Sequence, residues 1–281
     1  MSKSVQKRRR LLLLILAMTG AVFIWLLLLL ANAGKAADKA GKKQAEQAAS
    51  DIAALPDDIL LSAAANNDCV KVGYALGQGA DINCRDRSGR TPLMLAALNG
   101  HENTVIILLQ NKADANLRDP LHDQPLTLAA RQGHLAVIQT LLRYGVDIDS
   151  GADDGRTALI AACRSGKRHI VEYLLEKGAA LWPGKANGNG ALAVSLHNGN
   201  PACASAILQR GGDINEIDSQ GNNVLMMAIL CNSPELVKEL LREYSPDKTR
   251  LNREGKNALQ LAQEMNNPEI IRLLKPFFEG L

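Results

Sequence analysis

Apolar residues recur along this chain at a long, regular interval. Leu60, Leu93, Leu126, Leu159, Leu192 and Leu225 lie 33 residues apart, and Leu259 closes the series one residue late. Around each leucine the same short pattern returns. In the clearest unit Thr91 and Pro92 precede Leu93, the small pair Ala96 and Ala97 follows, and Gly100 ends the stretch. Thr91 is a helix-capping residue, and Pro92 fits a first turn, where no amide donor is needed. Gly100 suits a left-handed break before a second helix. That second helix has its own apolar stripe: Val105 with Leu108 and Leu109, Val137 with Leu141 and Leu142, Val171 with Leu174 and Leu175, continued by Leu240 and Leu241. The spacing therefore predicts a series of short paired helices, each with one buried face.

The break position holds Gly100, Gly133, Gly166 and Gly199, and elsewhere Asn67, Asn232 and Asn266. Asparagine is the next residue type that tolerates the left-handed region. Between units the chain reads Gly79-Ala80-Asp81-Ile82-Asn83, Lys112-Ala113-Asp114-Ala115-Asn116, Gly145-Val146-Asp147-Ile148-Asp149 and Gly211-Gly212-Asp213-Ile214-Asn215. Together with Asp86-Arg87-Ser88-Gly89-Arg90-Thr91-Pro92-Leu93 and Gly100-His101, this resembles the ankyrin repeat: a hairpin turn, two antiparallel helices and a linking loop. The resemblance covers roughly residues 57–281. It implies an all-α solenoid of about seven repeats, near 57–85, 86–118, 119–151, 152–184, 185–217, 218–250 and 251–281. The histidine usual after Thr-Pro-Leu is missing; Met94, Thr127, Ile160, Ala193 and Met226 stand there. The end units depart furthest from the pattern, as caps with one open face should.

The amino terminus is of another kind. Residues 11–31, from Leu11 to Ala31, carry no charge. A helix of that length spans a hydrocarbon core of about 30 Å. Lys7, Arg8, Arg9 and Arg10 abut it on one side, and Lys35, Lys39, Lys42 and Lys43 are more dispersed on the other. The tight cluster favours a cytoplasmic amino terminus (residues 1–10), a transmembrane signal anchor (11–31), and repeats across the membrane. The alternative is a removed signal peptide, since Ala31-Asn32-Ala33 has the form of a cleavage site; the apolar run exceeds the usual 7–15 residues of such peptides. No cysteine stands directly after the run, and no N-x-S/T acceptor occurs. The expectation is a single-pass protein of a bacterial inner membrane with periplasmic repeats, contacting lipid through Leu11–Ala31. The Ala- and Lys-rich stretch 32–56 reads as a spacer.

Charge divides the same way. Of the 32 basic and 29 acidic residues, nine and three lie in residues 1–56, so the repeats carry a net negative charge. Nothing in the repeats reads as the basic stripe that nucleic acid requires, so no nucleic-acid partner is expected. The five cysteines form no C-x-x-C pair, and the five histidines form no i, i+4 pair, so neither metal nor cofactor is expected. Hydrolase and phosphate-binding motifs are missing. The chain reads as a non-enzyme.

The family resemblance implies a protein partner bound at hairpin tips and first helices. Carried over by position, the candidates are Arg87, Arg90, Leu98, Asn99, His122, Asp123, Arg131, Asp154, Arg156 and Arg164. Trp182, which stands where other units have an Asp-x-Asn loop, is added as a candidate anchor, with filling a gap between the fourth and fifth repeats as its alternative role. The implied function is a scaffold or adaptor. An immunity protein that blocks a toxin such as a phospholipase is the alternative, and a cytoplasm-facing adaptor of inverted topology is the second.

Overall fold

The computed structural model describes residues 55–151, 155–181 and 190–278. Fourteen α-helices follow one another in pairs among them: α1 (Pro56–Ala65) and α2 (Cys69–Gly77), α3 (Pro92–Asn99) and α4 (Glu102–Gln110), α5 (Pro125–Gln132) and α6 (Leu135–Arg143), α7 (Ala158–Arg164) and α8 (Arg168–Glu176), α9 (Ala191–His197) and α10 (Pro201–Gln209), α11 (Val224–Leu230) and α12 (Pro234–Glu243), α13 (Ala258–Glu264) and α14 (Pro268–Leu274). A 3₁₀ turn, Lys275–Phe277, follows the last helix. No strand forms among the described residues, apart from one isolated antiparallel bridge between Ile217 and Asn223.

Each first helix packs on the first helices of its neighbours, and most second helices do likewise. Every recurring leucine from Leu60 to Leu225 is buried, with the alanine pairs beside them. The small side chains let the first helices approach closely. In the second helices the first leucine of each pair is buried (Leu108, Leu141, Leu174, Leu240) and the second is half-exposed, which fixes the stripe's edge. At about 25 cal/mol per Å² of apolar area removed from water, this stripe is the main stabilising contribution.

Helix starts follow local chemistry. Thr91, Thr157, Asn223 and Asn257 each accept the amide three residues on. The breaks between helices are left-handed at Gly100, Gly133, Gly166 and Gly199 and at Asn67, Asn232 and Asn266, all with positive φ. A ladder of side chains then ties each unit to the one before. His101 Nε2 donates to the Ala65 carbonyl (2.9 Å), His134 Nε2 to Leu98 (3.1 Å), and Asn200 Nδ2 to Cys163 (2.9 Å). In the fourth unit Lys167 stands in that position, and His169, two residues later, reaches the Gly133 carbonyl instead (3.2 Å).

The missing motif histidine is replaced by packing. Met94, Thr127, Ile160, Ala193 and Met226 are all buried. The Met94 sulfur accepts the Thr91 amide, and the Thr127 hydroxyl donates to the Arg156 carbonyl in the next unit (3.3 Å).

The expected transmembrane helix 11–31 and spacer 32–56 lie largely outside the described residues, as do Asp154 and Trp182. Among the described residues no helix is long and apolar enough to cross a membrane.

Candidate protein-binding face

The hairpins are built by one repeated device. Asp86 Oδ1 accepts the Ser88 and Arg90 amides, Asp119 those of Leu121 and Asp123, Asp218 those of Gln220 and Asn222, and Asn252 those of Glu254 and Lys256. A short acceptor side chain closes each turn onto its own backbone. Successive hairpins then stack: a Cβ on Gly89 would lie 2.6 Å from Pro120 Cδ of the next hairpin.

Arginines join them. Arg85 Nη1 donates to the Gly89 carbonyl in its own hairpin and to the Arg118 carbonyl in the next (2.9 Å). Arg156 Nη1 donates to the Leu121 carbonyl one unit back. Arg90 Nε lies 3.8 Å from the buried Asp119 carboxylate. Arg131, at the end of α5, pairs with Asp123 in the hairpin that precedes α5. Asp123 itself is buried. Each carboxylate thus lies inward and each guanidinium outward.

The candidates therefore fall into groups. Arg90, Asn99, Asp123, Arg131 and Arg156 hold the solenoid together, with Asn99 Nδ2 donating to the Ala65 carbonyl (3.2 Å). His122 is exposed at a left-handed hairpin tip. Leu98 is half-exposed. Arg87 and Arg164 are exposed, and their side chains have no hydrogen bond or ion pair among the described residues. Those at one register position form rows: Leu98, Arg131, Arg164, His197, Leu230 and Glu264 occupy the last or next-to-last place of successive first helices.

Sequence reasoning missed a polar cluster beside α9. His197 Nε2 lies 3.0 Å from Asp218 Oδ2, which also accepts from Asn222 Nδ2 (2.9 Å). Burial pushes the Asp218 carboxyl up, but hydrogen bonds from Asn222 and His197 outweigh it, and the net shift is downward. Nearby, Glu216 accepts the Gly190 amide. Burial of that carboxylate raises it above its ordinary value, against the opposing pull of the Gly190 and Ala193 amides. A glutamate 26 residues beyond the glycine gave no local signal.

The opposite side offers little chemistry. Between the second helices α6 and α8 lies a cleft of ≈ 410 Å³ lined by Gln139, Leu142, Arg143, Val146, Ile148, Tyr173 and Lys177. No group of three or more metal-ligating side chains converges among the described residues. All five cysteines are free thiols.

A family model described as Ankyrin repeats (3 copies) matches residues 13–119, 59–152, 107–183, 126–218 and 191–277, which is most of the chain. The chain belongs to the ankyrin repeat family. Its ankyrin domain is similar to a solved human structure, the ASB11 ankyrin repeat domain, with a TM-score of 0.66 and 23% identity over 77% of this chain and 96% of that one. That likeness concerns the fold alone. A mitochondrial disaggregase of Bos taurus is 43% identical over 53 residues, which is 19% of this chain and only 8% of the disaggregase. Ankyrin repeats are a protein–protein interaction scaffold, and the fold is generally a non-catalytic module.

Proposed function

We propose that this chain is a scaffold held at a membrane by residues 11–31, which binds a protein with the hairpin tips and first-helix ends of its ankyrin repeats on the far side of that membrane. One observation carries the binding surface. Arg87 and Arg164 are exposed without intramolecular partners among the described residues, beside arginines that the solenoid uses for its own cohesion. Ordering a long charged side chain costs rotamer freedom, and a partner that pairs with both can offset it. The uncharged run and the basic cluster Lys7–Arg10 support the anchor and its orientation.

Crosslinking in intact cells, capture of the tagged full-length chain and mass spectrometry test this reading. A resident envelope protein recovered in stoichiometric amount supports an adaptor. A secreted phospholipase or other toxin as the dominant partner makes the chain an antidote, and deletion then sensitises cells to their siblings. No protein crosslinked above background defeats the scaffold reading. A reporter active only outside the cytoplasm, fused after Leu281, tests orientation: silence places the repeats inside.

A further inference from the structure

The fold gathers onto one face arginines that lie tens of residues apart in sequence. Arg85, Arg87, Arg118, Arg131, Arg156 and Arg164 come from the first four repeats. Their contacts make the patch continuous: Arg85 spans two hairpins, Arg156 reaches back to the second of them, and Arg131 rests on the same hairpin through Asp123. Arg131 and Arg164 end neighbouring first helices, about 10 Å apart at ordinary helix spacing. The carboxylates of Asp119 and Asp123 lie buried beneath, with side chains 2% and 7% exposed. The outer surface is therefore cationic although the repeats as a whole are net negative.

Further along, the same register positions change character. In the row of Arg85 and Arg118, two glycines (Gly151 and Gly184) come next in sequence, and then Ile217 and Leu251, which are 41% and 56% exposed. Arg131 and Arg164 are succeeded by His197 and then by Leu230, which is 40% exposed. Three exposed aliphatic side chains, Ile217, Leu230 and Leu251, thus follow the arginines along the stack, although Arg253, Lys256 and Glu264 stand at neighbouring register positions of the last repeat.

We propose that this ridge recognises a protein segment with a cluster of Asp or Glu side chains at one end and apolar side chains at the other. The proposal rests on the scaffold reading above and names its partner's chemistry. Guanidinium groups match carboxylates with two parallel hydrogen bonds, which a lysine ridge would not. A long polyanion such as nucleic acid fits less well, because it would extend past the patch over a domain of net negative charge. A short acidic segment stays within a Debye length of the arginines, about 8 Å at physiological salt.

The test uses the full chain in zwitterionic nanodiscs and fluorescence anisotropy. The probes are a labelled peptide with a Glu/Asp block followed by leucines, the same peptide with Lys for each acid, and a labelled duplex oligonucleotide. The acidic peptide is expected to bind, to weaken with added salt, and to bind the R87E/R164E variant at least about tenfold less tightly. A K112E/R210E control makes the same change in net charge at exposed second-helix ends and should bind as the wild type does. Equal binding by R87E/R164E, or tighter binding of the oligonucleotide or the lysine peptide, overturns the proposal. The in-cell capture separates the two readings. R87E/R164E that still captures the wild-type partner sinks the arginine ridge and leaves the scaffold, whereas a wild-type chain that captures nothing sinks both.

Discussion

Glu216 accepts the backbone amide of Gly190 at 2.9 Å, and so caps a helix whose own cap residue has no side chain. Gly190 stands where Thr91 and Thr157 cap α3 and α7. A threonine there would collide, since a Cβ on Gly190 would lie 2.9 Å from Glu216 Oε1. The cap was moved to another loop rather than lost.

The exchange has a pH signature. The folded carboxyl of Glu216 is raised above its ordinary value near 4.5, first by burial. Between that value and the higher folded one, the native state holds a proton that the unfolded chain has released. Stability from this group therefore falls as pH rises through that window. Glu216→Gln keeps the acceptor and removes the titration. Its melting temperature should equal or exceed wild type at pH 7, and the wild-type decline above about pH 4.5 should flatten. Glu216→Ala loses the cap and should cost about 1 kcal/mol, or about 2–4 °C. Parallel pH curves for wild type and Glu216→Gln would refute the role.

Two glycines at the same repeat position should respond differently to asparagine. Gly199 has φ +72 with nothing within 4 Å of where a Cβ would stand, whereas at Gly100 (φ +75) a Cβ would lie 2.6 Å from His134 Nδ1. Asparagine accepts the left-handed backbone, as Asn67, Asn232 and Asn266 already do. Gly199→Asn should change stability by less than about 0.5 kcal/mol, in the range of a surface change. Gly100→Asn must also displace the His134 ring from the Leu98 carbonyl, and should cost about 1–3 kcal/mol. Chemical denaturation of the two variants decides it; equal losses would mean that the backbone, not the ring contact, sets the cost.

The parts that were legible in the sequence are those that repeat. Leu60 to Leu225 and the Gly or Asn breaks share one register, so a role assigned in one unit transfers to the next. The Thr91 cap was legible because it acts within three residues. Contacts between repeats were not. Glu216 works across 26 residues, and His169 replaces a ladder histidine from two positions away. The site candidates show the same limit. Arg90 and Arg156 read as surface at hairpin tips, but hairpins stack, so their side chains meet the neighbouring hairpin first, while Asp123 turns inward to Arg131 of its own repeat. The arginine ridge was hidden by net charge, because its members are spread over four repeats.

Leu159, at the centre of the stack, is fully buried in α7 between α5 and α9. Leu159→Ala should cost about 2–5 kcal/mol. In a solenoid each unit touches only its neighbours, so the loss should be local. Hydrogen exchange is expected to accelerate in α5 to α10 first, while α1, α2, α13 and α14 keep wild-type protection. Leu230→Ala, at a 40% exposed position, should stay within about 0.5 kcal/mol. Uniform loss of protection along the whole stack would show that the repeats unfold as one unit.

The thiols give the last test. Burial, reinforced by Asp57 and Asp81, pushes Cys84 up to about 12. Burial pushes Cys163 to about 12 against a hydrogen bond from Ser195, and Cys203 to about 11 against the nearby Arg168. At pH 8 a thiol at about 12 is thiolate in only about one molecule in 10⁴, and the thiolate is the nucleophile. Native protein treated with iodoacetamide should therefore modify the half-buried Cys69 and Cys231 first. The three buried thiols should react only at the rate of unfolding. The same shifts work against stability in alkali. The unfolded thiols ionise near 9 while the folded ones stay protonated, so stability should fall as pH rises past about 9. Cys163→Ala should reduce that alkaline slope, though it leaves a small cavity. Peptide mass spectrometry reads the labelling order. Cys163 or Cys203 labelled as fast as Cys231 in folded protein, or a mass two daltons low from a bridge between them, would show that their surroundings are open or oxidised, not closed and apolar.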